Sequence, residues 1–450
     1  MELSSKQITK QIIEEVRKSP NPKVKVAITD IDGILRGKYL HKDKFLSIID
    51  GGFGFCNVVF GWDSADLAYE GMDYTGWHTG YPDAVAKLDP ATFRKVPWDQ
   101  HVPFFLGDFD THVCPRNLLK RIAAQTEKAG FKAFFGQEFE WFNFRETTED
   151  LNERQFNEPA PLTPGMFGYS LLRMAKNTDF LNDLYDLMHE FRVPLEGLHT
   201  ETGPGVLEAA ILYADVLESA DRAVLFKAGV KEIGLRYGIM PTFMAKISEK
   251  LPGCSGHLHQ SLWDEKKNLF HDPKSKTGMS SIMESFIAGQ LHCLPQILPM
   301  YAPTINSYKR LVEGAWAPTT LTWAIDNRTT CIRALPGGAK STRIELRVVG
   351  SDANPYLAHA ASLASGLYGV KKRMRLTVKP TTGNGYRDLS NGALPGNLWN
   401  ATQAMKNSEL AAGLFGEDFV KHFTATREWE WKQHAKAVTD WEYKRYFEII

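Results

Sequence analysis

Apolar side chains recur along this chain at two spacings, one typical of helices and the other of strands. Helical spacing runs through MELSSKQITKQIIEEVRKS at the N-terminus, PRNLLKRIAAQTEKAG (115–130), TDFLNDLYDLMHEF (178–191) and DRAVLFKAGVKEIGLRYG (221–238), and residues 408–450 are predicted to be helical throughout. Alternation of apolar and polar residues predicts strands in KVKVAITDIDG (23–33) and GFGFCNVVFGW (52–62). Gly, Asp and Pro are frequent in residues 73–103, which are therefore predicted to form loops.

Helical and strand patterns are interspersed along the chain, and this arrangement predicts an α+β fold. The first strands and the following loops form a small N-terminal domain, placed at residues 1–105. The rest, residues 106–450, shows no internal repeat and is predicted to form one larger unit of the size of a catalytic domain.

Charge and cysteine content narrow the classes of function. Lys plus Arg and Asp plus Glu number 53 each, so the net charge indicates neither a nucleic-acid nor a membrane partner, and any acidic ligand must be held by local charge. The five cysteines are scattered and never form a CxxC pair, which favours a reducing compartment. With no signal-like segment and no apolar run of membrane-spanning length, the protein is predicted to be cytoplasmic.

Three predicted strands carry polar side chains on one face. Residues two apart in a strand share a face, and the one-sided positions are Glu138 and Glu140 in FFGQEFEWF, Ser255, His257, His259 and Ser261 in SGHLHQSLW, and Arg343, Glu345 and Arg347 in TRIELRVV. A solvated sheet face explains any one of these strands. Three together favour a common site, and a carboxylate between two guanidiniums is held ionised.

Two further acids, Glu201 and Glu208, flank a Gly and Pro turn in HTETGPGVLEA. They complete a set of five glutamates and the imidazole of His257, which suits two hard divalent cations, Mg²⁺ or Mn²⁺, better than zinc. The cationic side chains close in sequence to this set are Arg310, Arg328, Arg333, Lys340, Arg343 and Arg347. Cations beside metal-binding carboxylates suit phosphoryl transfer, so a nucleotide-dependent reaction is the favoured class.

Together these segments resemble the glutamine synthetase superfamily, the ATP-dependent glutamate–amine ligases, and its γ-glutamylamine synthetase-like branch in particular. The resemblance rests, in chain order, on GQEFEWF, ETGPGVLE, GCSGHLHQS, YKRLVEGAWAPT, NRTTCIRALPGGAKSTRIELR, ANPYLAHAASLASG and VTDWEYKRYFE. It implies a β-grasp-like N-terminal domain, a catalytic domain with a curved antiparallel sheet flanked by helices, and a homo-oligomer. That oligomer is usually a double-ring dodecamer whose sites lie between subunits.

The resemblance also implies a reaction and a role for each motif residue. ATP phosphorylates the γ-carboxylate of L-glutamate, and an amine then displaces the phosphate. Glu140, Glu201 and Glu208 would hold one metal ion, and Glu138, His257 and Glu345 the other. Arg310, Arg347 and the backbone of Gly253 would bind glutamate beside Glu140 and His257. Glu196, His259, Ser261, Lys340 and Arg343 would contact ATP, and Arg328 and Arg333 would stabilise phosphate charge.

The chain departs from the family pattern in the flap segment RLVEGAWAPTTLTW (310–323). Ammonia-using members carry a glutamate two residues after the flap glycine, where this chain has Trp316, and Pro252 replaces the usual asparagine before the glutamate-binding glycine. An indole cannot hold ammonium by charge, but it can line an apolar pocket and exclude water. The resulting hypothesis is an organic acceptor: a polyamine, a monoamine or an aromatic amine.

Two alternatives stay open at this point: ammonia as the acceptor, and a non-catalytic structural or regulatory relative. The intact metal-ligand set argues against the second alternative. GWDSAD stands where the family has the acidic segment that serves the amine site, which leaves Asp63 or Asp66 to accept the amine proton. Tyr386, in GYRDLSNG, is not predicted to be a regulatory modification site.

Overall fold

The computed structural model of the protein describes residues 5–450 and contains two β-sheets with helices packed around them. The strands of the first sheet are β1 (Lys23–Thr29), β2 (Leu35–His41), β3 (Phe53–Cys56), β4 (Asp83–Leu88), β5 (Arg94–Val96) and β6 (Val102–Phe109). Their order is β2-β1-β6-β4-β3, with β5 also paired to β6. Strand β1 runs parallel to β6 and antiparallel to β2.

The first two predicted strands are present, but each is shorter than the sequence segment in which it was predicted. Strand β1 ends at Thr29 because the carboxylate of Asp30 accepts the backbone N–H of Ile34 (2.9 Å) and the chain turns at Gly33, whose φ is +85°. In the second segment only β3 is a strand, since residues 57–60 form a 3₁₀ turn.

The prediction of loops over residues 73–103 is wrong for β4 and β5. Both strands pair with β6, and Ala86 of β4 lies opposite Phe109. Ala86 and Leu88 are buried in this pairing. Pairing with the long, buried strand β6 stabilises these two short strands. The composition of their own segment, which is rich in loop-forming residues, does not indicate this pairing.

Strand β6 lies between two hydrophobic cores. Phe104 and Leu106 belong to the larger core under the second sheet, whereas Phe105 and Phe109 belong to the smaller N-terminal core. The domain boundary at residue 105 falls inside this strand, and the division of the chain there stays a prediction.

The second sheet is curved and carries the remaining strands: β7 (Lys132–Phe144), β8 (Leu195–Thr200), β9 (Val206–Ile211), β10 (Ala214–Asp215), β11 (Met240–Thr242), β12 (Leu258–Trp263), β13 (Trp323–Ile325), β14 (Ile332–Leu335) and β15 (Arg343–Leu346). The order is β13-β14-β15-β12-β7-β9-β8, and β10 and β11 pair with β7. Only β13 and β14 are parallel within this sheet as described. The predicted α+β fold with a curved sheet is confirmed.

The helices confirm the predicted helical segments with two exceptions. Residues 1–4 of the first segment lie outside the described residues, and residues 408–450 are not helical throughout but form three helices, broken at Gly416 and at residues 437–439 and ending at Tyr446. Their bounds are α1 (Ser5–Lys18), α2 (Lys42–Ile48), α3 (Pro115–Lys128), α4 (Thr148–Glu153), α5 (Leu171–Ala175), α6 (Thr178–Glu190), α7 (Val216–Leu235), α8 (Ser281–Cys293), α9 (Ser307–Arg310), α10 (Pro355–Lys371), α11 (Leu398–Lys406), α12 (Glu409–Phe415), α13 (Glu417–Lys436) and α14 (Asp440–Tyr446). Helix α10 is buried along almost its whole length and packs against α8, α3 and α7, which supports the sheet from behind.

Candidate active site

A cavity of about 980 Å³ lies on the face of the second sheet that points away from the larger core. It collects most of the residues that the sequence singled out. Those that line it are Glu138, Glu140, Glu196, Glu201, Glu208, His257, His259, Ser261, Trp316, Arg328, Arg333, Lys340, Arg343, Glu345 and Arg347. Concave, chemically dense cavities of this kind are the usual location of enzyme active sites.

Strand β7 sets the chemistry of one half of the cavity. Phe139 is buried in the core, so its neighbours Glu138 and Glu140 point to the cavity on the other face. Strand β9 then places Glu208 directly opposite Glu140. The one-sided pattern read from the sequence is therefore the cavity face of a strand, not a solvated surface.

The first group of metal-ligand atoms comes from β7, β12 and β15. Strand pairing sets His259 opposite Glu345, and ligand atoms of Glu138, His259 and Glu345 lie within 4.8 Å of one another. Nδ1 of His257 is 3.5 Å from Glu138 and 3.4 Å from Glu345, and its Nε2 is buried without a hydrogen-bond partner. The group thus contains the three predicted ligands of one metal ion, with His259 added.

Electrostatics keep the carboxylates of this group ionised. Burial raises the pKa of Glu345, but the charges of His257 and Arg347 outweigh burial and lower that pKa to about 2. Arg333 donates to Glu345 at 2.9 Å, and Arg347 also donates to this carboxylate. For Glu138 burial is again opposed, here by His259 and His257, and its pKa is held well below the usual range.

A second group lies around the end of β8 and the start of β9. His199, Glu201 and Glu208 carry ligand atoms within 4.8 Å of one another. Glu140, predicted to share this metal ion, accepts the N–H of Ser255 at 2.7 Å. Burial, followed by repulsion from neighbouring carboxylates, raises the pKa of Glu208 to about 9. Bound cations would relieve this repulsion, so the donor set fits a divalent metal ion.

Fixed positive charge surrounds the first group. Arg343 donates to Nδ1 of His259 at 3.1 Å, and Arg333 also pairs with Asp326 at 2.6 Å. Arg347 donates through Nε to the carbonyl of Arg328 at 3.0 Å. These hydrogen bonds hold the guanidiniums in place before any anionic group arrives, and such preorganised charge is what phosphoryl and carboxyl groups require.

Arg310 and Gly253, predicted to bind glutamate, do not line the cavity. The buried guanidinium of Arg310 donates to the carbonyls of Arg347 and Val348, each at 3.0 Å. A Cβ at Gly253 would lie 2.7 Å from Cγ of Arg310, so only glycine permits this close approach. The pair supports the cavity wall from behind, and its contact with glutamate stays a prediction.

Asp63 and Asp66, the candidate proton acceptors, also lie away from this cavity. Asp63 is buried and accepts from the indole N–H of Trp429 (3.0 Å) and from the N–H of Ala65 (2.9 Å). Asp66 is exposed and pairs with Arg36 at 2.7 Å. Asp63 therefore anchors its loop to α13, and its role towards an amine stays a prediction.

The flap residue Trp316 lines the cavity and is 60% exposed. Its φ of +57° lies in the left-handed region, which is uncommon for a large side chain, and Gly314 before it has φ +79°. The next residue, Ala317, is fully buried. The loop thus turns inward after the indole and leaves the ring on the cavity side instead of in the core.

The sequence pattern did not predict several cavity residues, among them His199 and Tyr169. His199 lies two residues before Glu201, so the rule of shared strand faces would have found it. Tyr169 stacks on His199, with ring centroids 4.5 Å apart, and its N–H donates to the carbonyl of Thr200 at 2.6 Å. Tyr169 lies in an irregular segment where no periodic pattern exists to predict its place.

The other end of the cavity is aromatic. Phe134 makes edge contacts with Tyr213 (6.2 Å) and Trp263 (5.7 Å), and all three line the cavity. Glu196 also lines the cavity and lies in β8, where the strand register shifts between Leu195 and Gly197; the residue is exposed. The cavity therefore combines a charged region with an apolar platform.

A curved sheet that gathers carboxylates, imidazoles and fixed arginines in one cavity defines a metal-dependent enzyme acting on anionic groups. A family model described as "Glutamine synthetase, catalytic domain" matches residues 112–446. The chain belongs to the glutamine synthetase family. Enzymes of this family are glutamate–amine ligases that use ATP, glutamate, an amine and divalent metal ions, and the protein is an enzyme of this class.

Individual proteins are similar over nearly the whole chain. The chain is 52% identical to type-1 glutamine synthetase 2 of Dictyostelium discoideum, over 98% of this chain and 86% of that one. It is 34% identical to a glutamate–isopropylamine ligase of Pseudomonas sp, over 100% of both chains. A solved complex of GmaS with ADP has a TM-score of 0.84 at 27% identity and covers 97% of this chain and 99% of that one.

No helix among residues 5–450 is long and apolar enough to cross a membrane.

Proposed function

We propose that this protein joins an organic amine, larger than ammonia, to the γ-carboxylate of L-glutamate, with ATP as the activating substrate and γ-glutamyl phosphate as the intermediate. The observation that carries the proposal is Trp316, an exposed indole on the cavity wall. The family resemblance implies a glutamate at this position in ammonia-using members. An alkyl or aryl group gains by burying surface against an indole. A bare ammonium ion gains nothing comparable and loses a carboxylate partner.

The two ligand groups would hold two divalent ions, Mg²⁺ or Mn²⁺. Glu138, His257 and Glu345 form one set, to which His259 is adjacent; Glu140, Glu201 and Glu208 form the other, to which His199 is adjacent. When bound, the ions supply positive charge to the transferred phosphoryl group and to the glutamate carboxylate. The orphaned Nε2 of His257 and the raised pKa of Glu208 support this assignment.

The chain's own cations would carry the rest of the first step. Arg328, Arg333 and Lys340 would stabilise charge on the transferred phosphoryl group, and Arg347 would position glutamate. Glu196, Ser261 and Arg343 would contact ATP, and the aromatic platform of Phe134, Tyr213 and Trp263 is suited to stack the base. Trp316 would then shield the acyl phosphate from water.

The comparisons support both an organic amine and ammonia. The relative of Pseudomonas that aligns over its full length is named for isopropylamine, which favours an alkylamine acceptor. The relative of Dictyostelium, at 52% identity, is named a glutamine synthetase, and ammonia is therefore the second candidate. The tryptophan on the cavity wall decides our preference for the organic amine.

Three further parts of the proposal concern the assembly and its surroundings. The protein would form a ring-shaped homo-oligomer, a double-ring dodecamer, with each cavity completed by the N-terminal domain of a neighbour. Asp63 or Asp66 would then face the neighbour's amine. The unpaired cysteines fit the cytoplasm, where thiols stay reduced.

Phosphate release tests the proposal directly. Pure protein is mixed with glutamate, ATP and Mg²⁺, and release is measured with ammonium and with a panel of alkylamines, polyamines and aromatic amines. We expect release to be fastest with one of the organic amines, with the corresponding γ-glutamylamide found by mass spectrometry. Faster turnover with ammonium than with every amine would contradict the proposal.

A further inference from the structure

A second cavity, of about 770 Å³, lies between helix α7 and strands β1 and β2 of the first sheet. It is behind the second sheet: Lys227, which lines it, sits over the rings of Phe139 and Phe243, and Phe139 points away from the active-site cavity. None of its lining residues lines the first cavity. It is therefore separate from the active-site cavity of the same chain.

Two lysines one helical turn apart contribute positive charge to this cavity. Lys227 and Lys231 both line it from α7. Nζ of Lys227 donates to the carbonyls of Ser351 (2.8 Å) and Ala353 (3.2 Å). Within the described part of the chain, neither lysine has a carboxylate at ion-pair distance, although the charge of Asp352 acts on Lys227.

Besides these two lysines, the lining carries the cations Lys25, Lys38 and Arg427 and the carboxylates Asp32, Glu232, Asp352 and Glu430. Lys25 pairs with Glu232 at 3.2 Å, and Arg427 pairs with Asp32 at 2.6 Å. The remaining carboxylates are Asp352 and Glu430. Oδ2 of Asp352 accepts from the hydroxyls of Thr304 (2.8 Å) and Ser307 (2.5 Å), and its Oδ1 is buried without a hydrogen-bond partner. Burial and the charge of Lys231 lower the pKa of Lys227 to about 8, against the opposing charge of Asp352.

The surface around the lysines is apolar. Val26, Leu35 and Phe104 come from the first sheet, and Val224 comes from α7. An anion with an apolar body would bury hydrocarbon against these side chains while its charged group meets the ammonium groups. Inorganic phosphate would gain only the second of these contributions.

We propose that this cavity is a second ligand site, which binds a small organic carboxylate between Lys227 and Lys231. The site goes beyond the proposed ligase reaction and does not depend on which amine the enzyme accepts. Its floor is connected to the active site, because Ser351, whose carbonyl holds Lys227, donates its hydroxyl to the carbonyl of Glu140 at 2.7 Å. Occupancy of the second cavity can therefore reach the strand that carries a predicted metal ligand.

Binding of 4-fluorobenzoate, followed by ¹⁹F NMR, tests this site. The full-length protein is used with ADP, glutamate and Mg²⁺ present, so that the first cavity is filled. The variants are Lys227→Met and Lys231→Met, which remove charge and keep length, with the exposed Lys250→Met as the control. Lys231 makes no hydrogen bond to the sheet in the described structure, so its variant does not disturb the support of Glu140.

We expect saturable binding that is weakened about tenfold in both lysine variants and unchanged in the control, since a charge-assisted contact is lost. The neutral analogue 4-fluorobenzamide should bind weakly to all four proteins. Absence of saturable binding, equal affinity for the amide, or full affinity in both lysine variants would overturn the proposal. Ligase activity is not used as a readout, so this outcome is independent of the proposed acceptor.

Discussion

At the scale of single residues, the proposed preference for an organic amine rests on one side chain. Trp316 is held on the cavity wall by a left-handed backbone and is followed by a fully buried alanine. A residue in that conformation is locally strained, and strain of this kind persists where the surrounding structure imposes it. The same loop position with a carboxylate would attract ammonium instead of an alkyl group.

Trp316→Glu should shift the preference of the enzyme from organic amines to ammonium. We expect the ratio of kcat/KM for the best organic amine to that for ammonium to fall at least about tenfold, because apolar contact is lost and a counter-charge is gained. Steady-state phosphate release measures the ratio. The exposed Trp77→Glu, outside the cavity, is the control and should leave it unchanged; an equal change in both variants would contradict the assignment.

Glu208 should make the folding stability of the metal-free protein depend on pH. A carboxyl group whose pKa is about 9 in the folded chain binds a proton that the unfolded chain releases above its ordinary pKa of 4.5. Its contribution therefore lowers stability as pH rises from about 5 to 9. Glu208→Gln should raise the Tm in EDTA at pH 8 by about 2 °C or more and flatten the pH slope.

Thermal scans in EDTA and in Mg²⁺ check this prediction. Mg²⁺ should stabilise the wild type more than Glu208→Gln, because the variant lacks one predicted ligand. The exposed Glu249→Gln should behave like the wild type. An unchanged pH slope in Glu208→Gln would show that the acidic cluster is not under the repulsion described.

At the scale of elements, the sequence predicted which residues share a strand face. It did not predict every strand, nor the residues that irregular segments bring to the site. Alternation located Glu138 and Glu140 correctly because β7 is long and its other face is apolar. Alternation did not predict β4 and β5, which form strands because they pair with β6. It also did not predict the position of Tyr169, which lies in an irregular segment. Arg310 was close in sequence to the site, but burial turned its guanidinium towards the backbone.

Arg310→Met should destabilise the protein by about 2–4 kcal/mol, because it leaves two buried carbonyls without their donor. Denaturant unfolding measures the loss. The adjacent, exposed Lys309→Met is the control and should be close to neutral. If Arg310 serves only to bind glutamate, its variant will instead keep wild-type stability and show a raised KM for glutamate.

At the scale of the whole molecule, the C-terminal segment exposes an unusual amount of apolar surface. Trp441, Phe447, Ile449 and Ile450 are each more than half exposed. Surface of this kind commonly marks contacts between chains. The proposed dodecamer would bury this apolar surface between subunits.

Sedimentation velocity should give a particle of about twelve times the 50.7 kDa chain mass. Phe447→Ser combined with Ile449→Ser should reduce the fraction of full-size particles. Ser substitutions at the exposed Leu235 and Met244 provide a control for the loss of apolar side chains elsewhere on the surface. A wild type that sediments as a monomer would contradict the ring.

Competition between acceptors tests the central claim most directly. The enzyme receives glutamate, ATP and Mg²⁺ with equal concentrations of ammonium and of the best organic amine, and mass spectrometry measures both products in the initial phase. Their ratio equals the ratio of the two kcat/KM values. Trp316 on the cavity wall predicts an excess of the γ-glutamylamide over glutamine; an excess of glutamine would contradict the proposed function.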